Sequence, residues 1–388
     1  MRDAPAGASH KRVTEFPLSD PIYVTKPYLP PLSELQPLLE QIWATRVLTN
    51  NGPFHTQLEE RLGNFFGVEH LSLVTNGMLA LSMAIEAAGV EGEVITTPYS
   101  FVATTHAVKM GRLEPVFVDI RPHDLNIDPD KIEAAITPRT SAIVAVHVYG
   151  NPCDVEAIED IAARHGLKVI YDAAHAFGVR YRDRSLLSYG DFATLSFHAT
   201  KAFNTFEGGA VIAGSAEGKK GVDSLRNFGI ADEVNIPAVG GNAKMSEFNA
   251  ALGLVQLDHF DHIRKERARV DSFYRERLAD IGGLECLSIP NGVAPNYSYF
   301  PVLVRPGFRV SRDALYEELK SQGIHSRRYF YPLLSSLPMY SGTPSAGSAN
   351  LPVASEAAEQ ILCLPIYPDL AESDQRRIIE AIAAKPSA

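Results

Sequence analysis

The sequence predicts an α/β protein in which helices flank a mostly parallel central sheet, followed by a smaller C-terminal α+β domain. The 388 residues exceed what one hydrophobic core usually holds, so two domains are expected. Residues 93–211 alternate short, β-branched apolar runs with helix-like stretches, which is typical of strands joined by crossover helices. From residue 284 onward, apolar runs and helical segments alternate again, which indicates the second domain.

The predicted strands of the central sheet lie at 93–97, 115–119, 142–147, 168–172, 193–197 and 210–213. Two of the intervening helices have clear ends. Asp128 followed by Pro129 is typical of an N-cap and first turn, and this helix runs to Ile136. Asp154 begins the next helix at 155–165, and Gly166 ends it.

The segments on either side of this region complete the predicted organisation. Helices at 33–47 and 56–66 are separated by the loop LTNNGP at 48–53. Residues 246–278 have the pattern of one long helix or two, and a strand at 299–304 and a helix at 312–322 follow. We therefore expect a flexible N-terminal tail at 1–22, a large domain at 23–270 and a small domain at 271–388.

Charge and composition exclude several classes of protein. The net charge is -10 and no long run of Lys or Arg occurs, which argues against a nucleic-acid partner. The three cysteines are widely spaced, which is typical of reduced thiols in the cytoplasm. Neither a signal sequence nor an apolar stretch of membrane length is found, so we expect no membrane association and a cytoplasmic location.

The most informative feature is the pair of segments YDAAH at 171–175 and SFHATK at 196–201, the second followed by EGG at 207–209. Asp172 ends one predicted strand and Lys201 follows another, and ligands of open α/β sheets bind beyond these strand ends. A desolvated lysine forms a Schiff base with an aldehyde. A carboxylate keeps a pyridine nitrogen protonated, so that the ring works as an electron sink.

Together, Asp172 and Lys201 predict pyridoxal 5'-phosphate as cofactor. A lone Asp at a strand-to-helix turn is more often a helix N-cap. The pairing with Lys201 is what favours the cofactor.

Two neighbouring motifs fit the same prediction. TNGMLAL at 75–81 is typical of a tight turn opening a helix, whose free N–H groups suit a phosphate at Gly77 and Met78, although many such turns bind nothing. TPYSF at 97–101 places an aromatic ring at the same sheet edge, either to stack on the cofactor or to fill the core. The chain lacks the glycine-rich motifs of dinucleotide and nucleoside-triphosphate sites, and no spacing of histidines or cysteines predicts a metal site.

Three segments, at 94–120, 171–178 and 195–209, closely resemble the sugar-nucleotide aminotransferases of the DegT family, which are fold-type I, aspartate-aminotransferase-like pyridoxal phosphate enzymes. The resemblance extends from about residue 23 to residue 369. VTKPYLPP at 24–31, LTNNGP at 48–53 and HVYGNPCD at 147–154 look most like the branch that makes dTDP-4-amino-4,6-dideoxy-D-glucose. Dehydratase relatives carry histidine in place of the lysine, whereas Lys201 is present here.

The resemblance implies a role for each of four residues around the cofactor ring. Lys201 is the Schiff-base lysine and the general acid and base. Asp172 pairs with the pyridinium nitrogen, His175 lies near the phenolic oxygen, and Phe101 stacks on the ring.

The resemblance also implies a phosphate site that two subunits share. Gly77, Met78 and Ser196 hold the phosphate, and Asn242 reaches it from the neighbouring subunit, so the active site is complete only in a homodimer. Many relatives have Thr or Ser where this chain has Met78. The side-chain contact is then lost, at a cost of about 1 kcal/mol, while the backbone N–H remains.

The implied reaction transfers the amino group of L-glutamate to C4 of dTDP-4-dehydro-6-deoxy-D-glucose, giving dTDP-4-amino-4,6-dideoxy-D-glucose and 2-oxoglutarate. Tyr329 and Tyr331 resemble a loop that approaches the sugar. Arg328 is either a ligand of a diphosphate or carboxylate or a solvated surface arginine. Transamination at C3, or of a UDP-linked keto sugar, stays open, and a non-catalytic sensor of sugar nucleotides is a third reading that Lys201 and Asp172 disfavour.

Overall fold

The computed structural model describes residues 20–384 and contains a central seven-stranded sheet between layers of helices. The strands are β1 (Ile22–Tyr23), β2 (Leu71–Val74), β3 (Glu93–Thr96), β4 (Glu114–Phe117), β5 (Thr140–Val146), β6 (Lys168–Asp172), β7 (Arg180–Tyr181), β8 (Arg184–Ser185), β9 (Phe192–Ser196), β10 (Gly209–Ala213), β11 (Leu284–Cys286), β12 (Val293–Ala294), β13 (Phe300–Val304), β14 (Ile324–His325) and β15 (Ile361–Leu364). The helices are α1 (Leu32–Thr45), α2 (Pro53–Phe66), α3 (Gly77–Ala87), α4 (Val102–Met110), α5 (Pro129–Ala135), α6 (Val155–His165), α7 (Ala216–Leu225), α8 (Glu247–Leu278), α9 (Arg312–Ser321), α10 (Pro352–Gln360) and α11 (Glu372–Ala383).

The central sheet has the strand order β2-β10-β9-β6-β5-β3-β4. Strands β4, β3, β5, β6 and β9 run parallel to one another, whereas β10 is antiparallel to both β9 and β2. All six predicted strands are present, and this mostly parallel sheet with its flanking helices confirms the α/β prediction. The edge strand β2 was not predicted, because four residues directly before a turn carry too little periodicity to be recognised.

Side chains of the central strands alternate between two apolar layers. Ile143 and Ala145 of β5 face a layer that contains residues of α2, α6 and α8. Ala142 and Val144 of the same strand face the other layer, against α3, α4 and α7. This period of two buries both faces of the sheet, which explains why its strands appear in the sequence as nearly continuous apolar runs.

The long segment whose division the sequence left open is one helix, α8, capped by the Ser246 side chain on Asn249 N–H. Its first half packs in the large core through Val255, and its second half packs through Tyr274 against the C-terminal sheet β11-β13-β15. The helix therefore crosses the predicted domain limit at residue 270. The division into domains stays a prediction.

Local signals set both ends of α6 as expected, whereas α2 begins at Pro53, three residues before its predicted start. Asp154 accepts a hydrogen bond from Ala157 N at 3.3 Å, and Gly166 ends the same helix with φ 66°. The predicted tail at 1–22 lies outside the described residues up to residue 19, and Ile22 is buried and paired with Ile324. Within residues 20–384, no helix has both the length and the apolar character needed to cross a membrane.

Candidate active site

The sheet brings Asp172 and Lys201, the two residues that predicted the cofactor, to one edge. Asp172 is the last residue of β6, and Lys201 follows five residues after β9 ends at Ser196. Strands β6 and β9 are parallel neighbours, and Asp172 is paired with Thr194 in register. The carboxylate and the lysine therefore leave the same end of adjacent strands, where ligands of open α/β sheets bind.

Asp172 is a buried carboxylate held by two donors. Thr104 of α4 donates its hydroxyl to Oδ2 at 2.7 Å, and Ala174 donates its backbone N–H to Oδ1 at 3.2 Å. Burial raises the pKa of Asp172, while the two hydrogen bonds and the charge of Lys201 oppose that rise. A buried carboxylate of this kind is stabilised by a cation placed against it.

Lys201 is a partly buried amine next to a phenol. Its Nζ lies 3.4 Å from the hydroxyl oxygen of Tyr299. Burial lowers the pKa of Lys201 to about 8, against the opposing effects of Asp172 and Tyr329. The neutral, nucleophilic amine is consequently far more populated near neutral pH than in an ordinary lysine.

His175 presents an unsatisfied polar atom to the same space. It is buried, and its Nδ1 has no hydrogen-bond partner among the described residues. Its ring lies between Tyr299, at 4.8 Å edge to face, and Phe330, stacked at 5.9 Å. Burial lowers the pKa of His175, with the charge of Lys201 adding to the effect, so the ring is neutral and able to meet a polar ligand atom.

The turn before α3 has the shape of an anion seat. Asn76 caps this helix by accepting from Leu79 N–H at 2.9 Å, and Ala80 N–H donates to the Asn76 carbonyl, so the N–H groups of Gly77 and Met78 begin the helix. A Cβ added to Gly77 would lie 2.6 Å from the Cβ of Ser196. Glycine is therefore required for the turn to lie directly against the end of β9.

Phe101 occupies the N-cap position of α4, one turn before Thr104, which binds Asp172. Its side chain is 56% exposed, so the ring does not fill the core. An exposed aromatic ring on the same helix turn that binds the Asp172 carboxylate fits the predicted stacking role.

Asn242 lies on the exposed segment between α7 and α8. Its Oδ1 accepts from Lys244 Nζ at 3.0 Å, and the carbonyl of the next residue, Ala243, accepts from Thr75 N–H at 2.9 Å. Asn242 is thus one residue from a backbone contact to the segment just before α3 of its own chain. Its predicted contact with a neighbouring subunit stays a prediction.

The three predicted substrate residues are consecutive or nearly so in one loop, at 328–331. Of the three, Tyr329 has a contact that leads to Lys201. The ring of Tyr329 meets the ring of Tyr299 edge to face at 5.7 Å, which places Tyr329 near the lysine. Arg328 donates to Asp313 at 2.8 Å, so its charge already has a partner. Tyr331 is partly exposed and lies 5.3 Å from the Arg328 guanidinium.

Comparison with known proteins identifies the family of the chain. The family model described as the DegT/DnrJ/EryC1/StrS aminotransferase family matches residues 33–383. This chain belongs to that aminotransferase family.

The relatives that this aminotransferase resembles include enzymes of closely defined activity. It is 52% identical over 366 residues to a dTDP-4-amino-4,6-dideoxy-D-glucose transaminase of Shigella dysenteriae, covering 94% of this chain and 99% of the relative. The crystal structure of DesI, determined in the presence of its TDP-sugar product, matches with a TM-score of 0.90 and 38% identity, covering 94% of this chain and 92% of DesI. NtdA of Bacillus subtilis, solved with bound cofactor PMP, matches with a TM-score of 0.83 and 28% identity, covering 90% of this chain and 81% of NtdA.

The site of the aminotransferase also contains residues that the sequence did not predict. Thr104, Tyr299 and Phe330 touch Asp172, Lys201 and His175, respectively. Tyr299 is 98 residues from Lys201 in the chain and was placed within a predicted strand, where an aromatic residue suggests only core packing. No local pattern marks such a residue.

Proposed function

We propose that this aminotransferase uses pyridoxal 5'-phosphate to transfer the amino group of L-glutamate to C4 of dTDP-4-dehydro-6-deoxy-D-glucose. The products are dTDP-4-amino-4,6-dideoxy-D-glucose and 2-oxoglutarate. The observation that carries the chemistry is the placement of Asp172 and Lys201 at the ends of adjacent parallel strands. The assignment of the substrate is supported by the 52% identity to a dTDP-4-amino-4,6-dideoxy-D-glucose transaminase, over nearly all of both chains.

The described residues fit this cofactor. Asp172 supplies a buried carboxylate for a pyridinium nitrogen, and the unpartnered Nδ1 of His175 supplies a polar contact. Phe101 offers a ring face. When bound, the cofactor withdraws electrons from the carbon that carries the amino group.

The phosphate seat that we propose consists of backbone and side-chain groups at three places. Gly77 and Met78 contribute helix N-terminal N–H groups, and Ser196 contributes its hydroxyl. Asn242 completes the seat from a second copy of the chain. Met78 takes part through its backbone alone.

Lys201 moves the proton in this proposal. With a pKa of about 8, its Nζ accepts a proton as the neutral amine and returns it as the ammonium without a large cost in either direction. Asp172 would stay ionised when the pyridinium of the bound cofactor faces it. Tyr329 and Tyr331 are the proposed contacts to the sugar, and Arg328 is a proposed contact whose guanidinium also pairs with Asp313.

We also propose a cytoplasmic homodimer. Several large apolar side chains are exposed, including Trp43 on α1 and the stacked pair Phe206 and Phe248. Exposed apolar surface of this kind favours an interface, and symmetric dimers are the commonest oligomers. The free thiols Cys153 and Cys363 are buried and support a reducing compartment.

A panel of keto-sugar nucleotides tests the substrate. The purified enzyme is incubated with L-glutamate and each of dTDP-linked 4-keto, dTDP-linked 3-keto and UDP-linked 4-keto sugars, and the products are measured by mass spectrometry. We expect the dTDP-linked 4-keto sugar to be aminated fastest. Preference for another member of the panel would replace the proposed substrate, and absence of any glutamate-dependent product would leave the non-catalytic sensor.

A further inference from the structure

The segment 296–299, immediately before β13, is fixed to the loop that carries His175. Asn296 donates from Nδ2 to the His175 carbonyl at 2.8 Å and to the Phe177 carbonyl at 2.9 Å. Ser298 donates its hydroxyl to the same His175 carbonyl at 2.9 Å. Asn296 is buried and its Oδ1 accepts from the Ser298 backbone N–H at 3.0 Å, so the segment has little freedom to move relative to His175.

This fixed segment presents Tyr299 to the lysine. The Tyr299 hydroxyl oxygen lies 3.4 Å from Lys201 Nζ, and its ring meets the His175 ring at 4.8 Å. A separation of 3.4 Å is long for a hydrogen bond, but contacts between catalytic groups often tighten when the ligand binds. The ring of Tyr329 also meets the Tyr299 ring, edge to face at 5.7 Å.

We propose that Tyr299 is a positioning residue for the free amine of Lys201. This inference rests on the proposed transamination, in which the lysine acts as a free acid and base. A phenol suits both states of the amine: its oxygen accepts from the ammonium, and its O–H donates to the neutral amine. The lysine thus keeps one location while it gains and loses its proton.

Among the titratable groups around Lys201, Tyr299 is a neutral one whose hydroxyl lies within 3.4 Å of the amine. Asp172 faces the lysine as a carboxylate from β6, and His175 and Tyr329 face it from two loops. Burial raises the pKa of Tyr299, so the phenol stays protonated throughout the range in which Lys201 titrates. Tyr299 can therefore donate or accept without changing the net charge of the site.

The test measures the lysine itself, in cofactor-free protein. Competitive acetylation followed by mass spectrometry of the Lys201 peptide gives the lysine pKa between about pH 6 and pH 10. Tyr299→Phe removes only the hydroxyl. Tyr297→Phe is the matched control, because it makes the same change two residues earlier, where burial and Asp271 are the main influences on the phenol.

We expect Tyr299→Phe to lower the pKa of Lys201 by about half a unit to one unit, because a bond from a charged donor is stronger than one from a neutral donor. The same variant should lower kcat by about 3- to 10-fold with little change in the KM for the sugar nucleotide. In Tyr297→Phe, the titration curve of Lys201 should match that of the wild type. Identical curves for Tyr299→Phe and the wild type, or an equal shift in Tyr297→Phe, would overturn the proposal.

The outcome is independent of the proposed substrate. A shifted lysine curve in a protein that aminates no sugar would support the contact and reject the transamination. An unshifted curve in an active enzyme would reject the contact and leave the transamination standing.

Discussion

The sheet brings together a carboxylate and a lysine that are far apart in the sequence. Asp172 ends one strand, and Lys201 lies just beyond the end of the neighbouring parallel strand. Asp172 and Lys201 are 29 positions apart in the numbering, and the pairing of β6 with β9 places them at one edge. Strand ends can be inferred from apolar runs, so this pair could be predicted from the sequence. Tyr299 could not, because its approach depends on how β13 packs beside the large domain.

Loss of the lysine should abolish turnover. We expect Lys201→Ala to reduce kcat by about a thousand-fold or more, since both nucleophilic and proton-transfer roles disappear. The visible absorbance of lysine-bound cofactor should disappear as well. Lys320→Ala, at a half-exposed lysine of α9, serves as the control and should match the wild type. Normal activity in Lys201→Ala would contradict the assignment.

Gly77 provides a second test at the residue scale. Gly77→Ala places a Cβ 2.6 Å from the Cβ of Ser196 and should push the turn away from β9. We expect cofactor affinity, measured by absorbance titration, to fall by about 10-fold. Gly282→Ala adds the same methyl group where nothing lies within 4 Å, so it should bind cofactor as the wild type does. Equal affinities in the two variants would show that the turn does not hold the phosphate.

At the scale of elements, a buried ionic network joins α2, β2 and the end of α7. Glu59 of α2 accepts from Arg226 at 2.6 Å, from Leu73 N–H at 2.9 Å and from His55 at 3.1 Å. Burial alone would raise the pKa of Glu59. The hydrogen bond from His55 and the charges of Arg226 and Lys219 lower it instead to about 2.

This network predicts a loss of stability in acid. A carboxylate whose pKa is lowered on folding stabilises the protein above its unfolded pKa, near 4.5, and that contribution is lost as the pH falls towards 2. We expect Glu59 alone to account for about 3 kcal/mol over this interval. The Glu59→Gln variant should therefore be less stable at neutral pH, and its urea midpoint should vary less with acid.

Glu133→Gln is the matched control for this measurement. Glu133 is exposed and pairs with Arg164 and His165, where solvent screens the interaction. Its urea midpoint should follow the wild type at every pH. If Glu59→Gln also followed the wild type, the network would not stabilise the fold.

Helix α8 shows where element-scale prediction stops. Its apolar spacing indicated helix along the whole of 246–278, but did not show whether this is one continuous helix or two helices joined by a turn. The helix is continuous, and its two halves pack in two different apolar cores, through Val255 and Tyr274. That information lies in long-range contacts.

At the scale of the whole molecule, the shared site makes a prediction about mixed dimers. Lys201→Ala impairs one half of the site, and Asn242→Asp places a negative charge at the phosphate in the other half. If Asn242 serves the partner's site, mixed dimers of these two inactive variants contain one fully wild-type site. We then expect activity to return to about a quarter of the wild-type value after random exchange of subunits.

The position of Ala243 next to Thr75 of the same chain makes the opposite arrangement a real alternative. If Asn242 served its own chain, every site in the mixture would carry one defect and no activity would return. Each variant alone, taken through the same subunit-exchange procedure, is the control and should stay inactive.

The central claim is that an amino group is placed on C4 of a dTDP-linked sugar. The most direct measurement uses L-glutamate labelled with 15N and dTDP-4-dehydro-6-deoxy-D-glucose, with the product examined by NMR. The label should appear on C4 of the sugar, in step with the formation of 2-oxoglutarate, and should be absent with Lys201→Ala. Label on C3, or a sugar without label in the presence of active cofactor-bound protein, would contradict the claim.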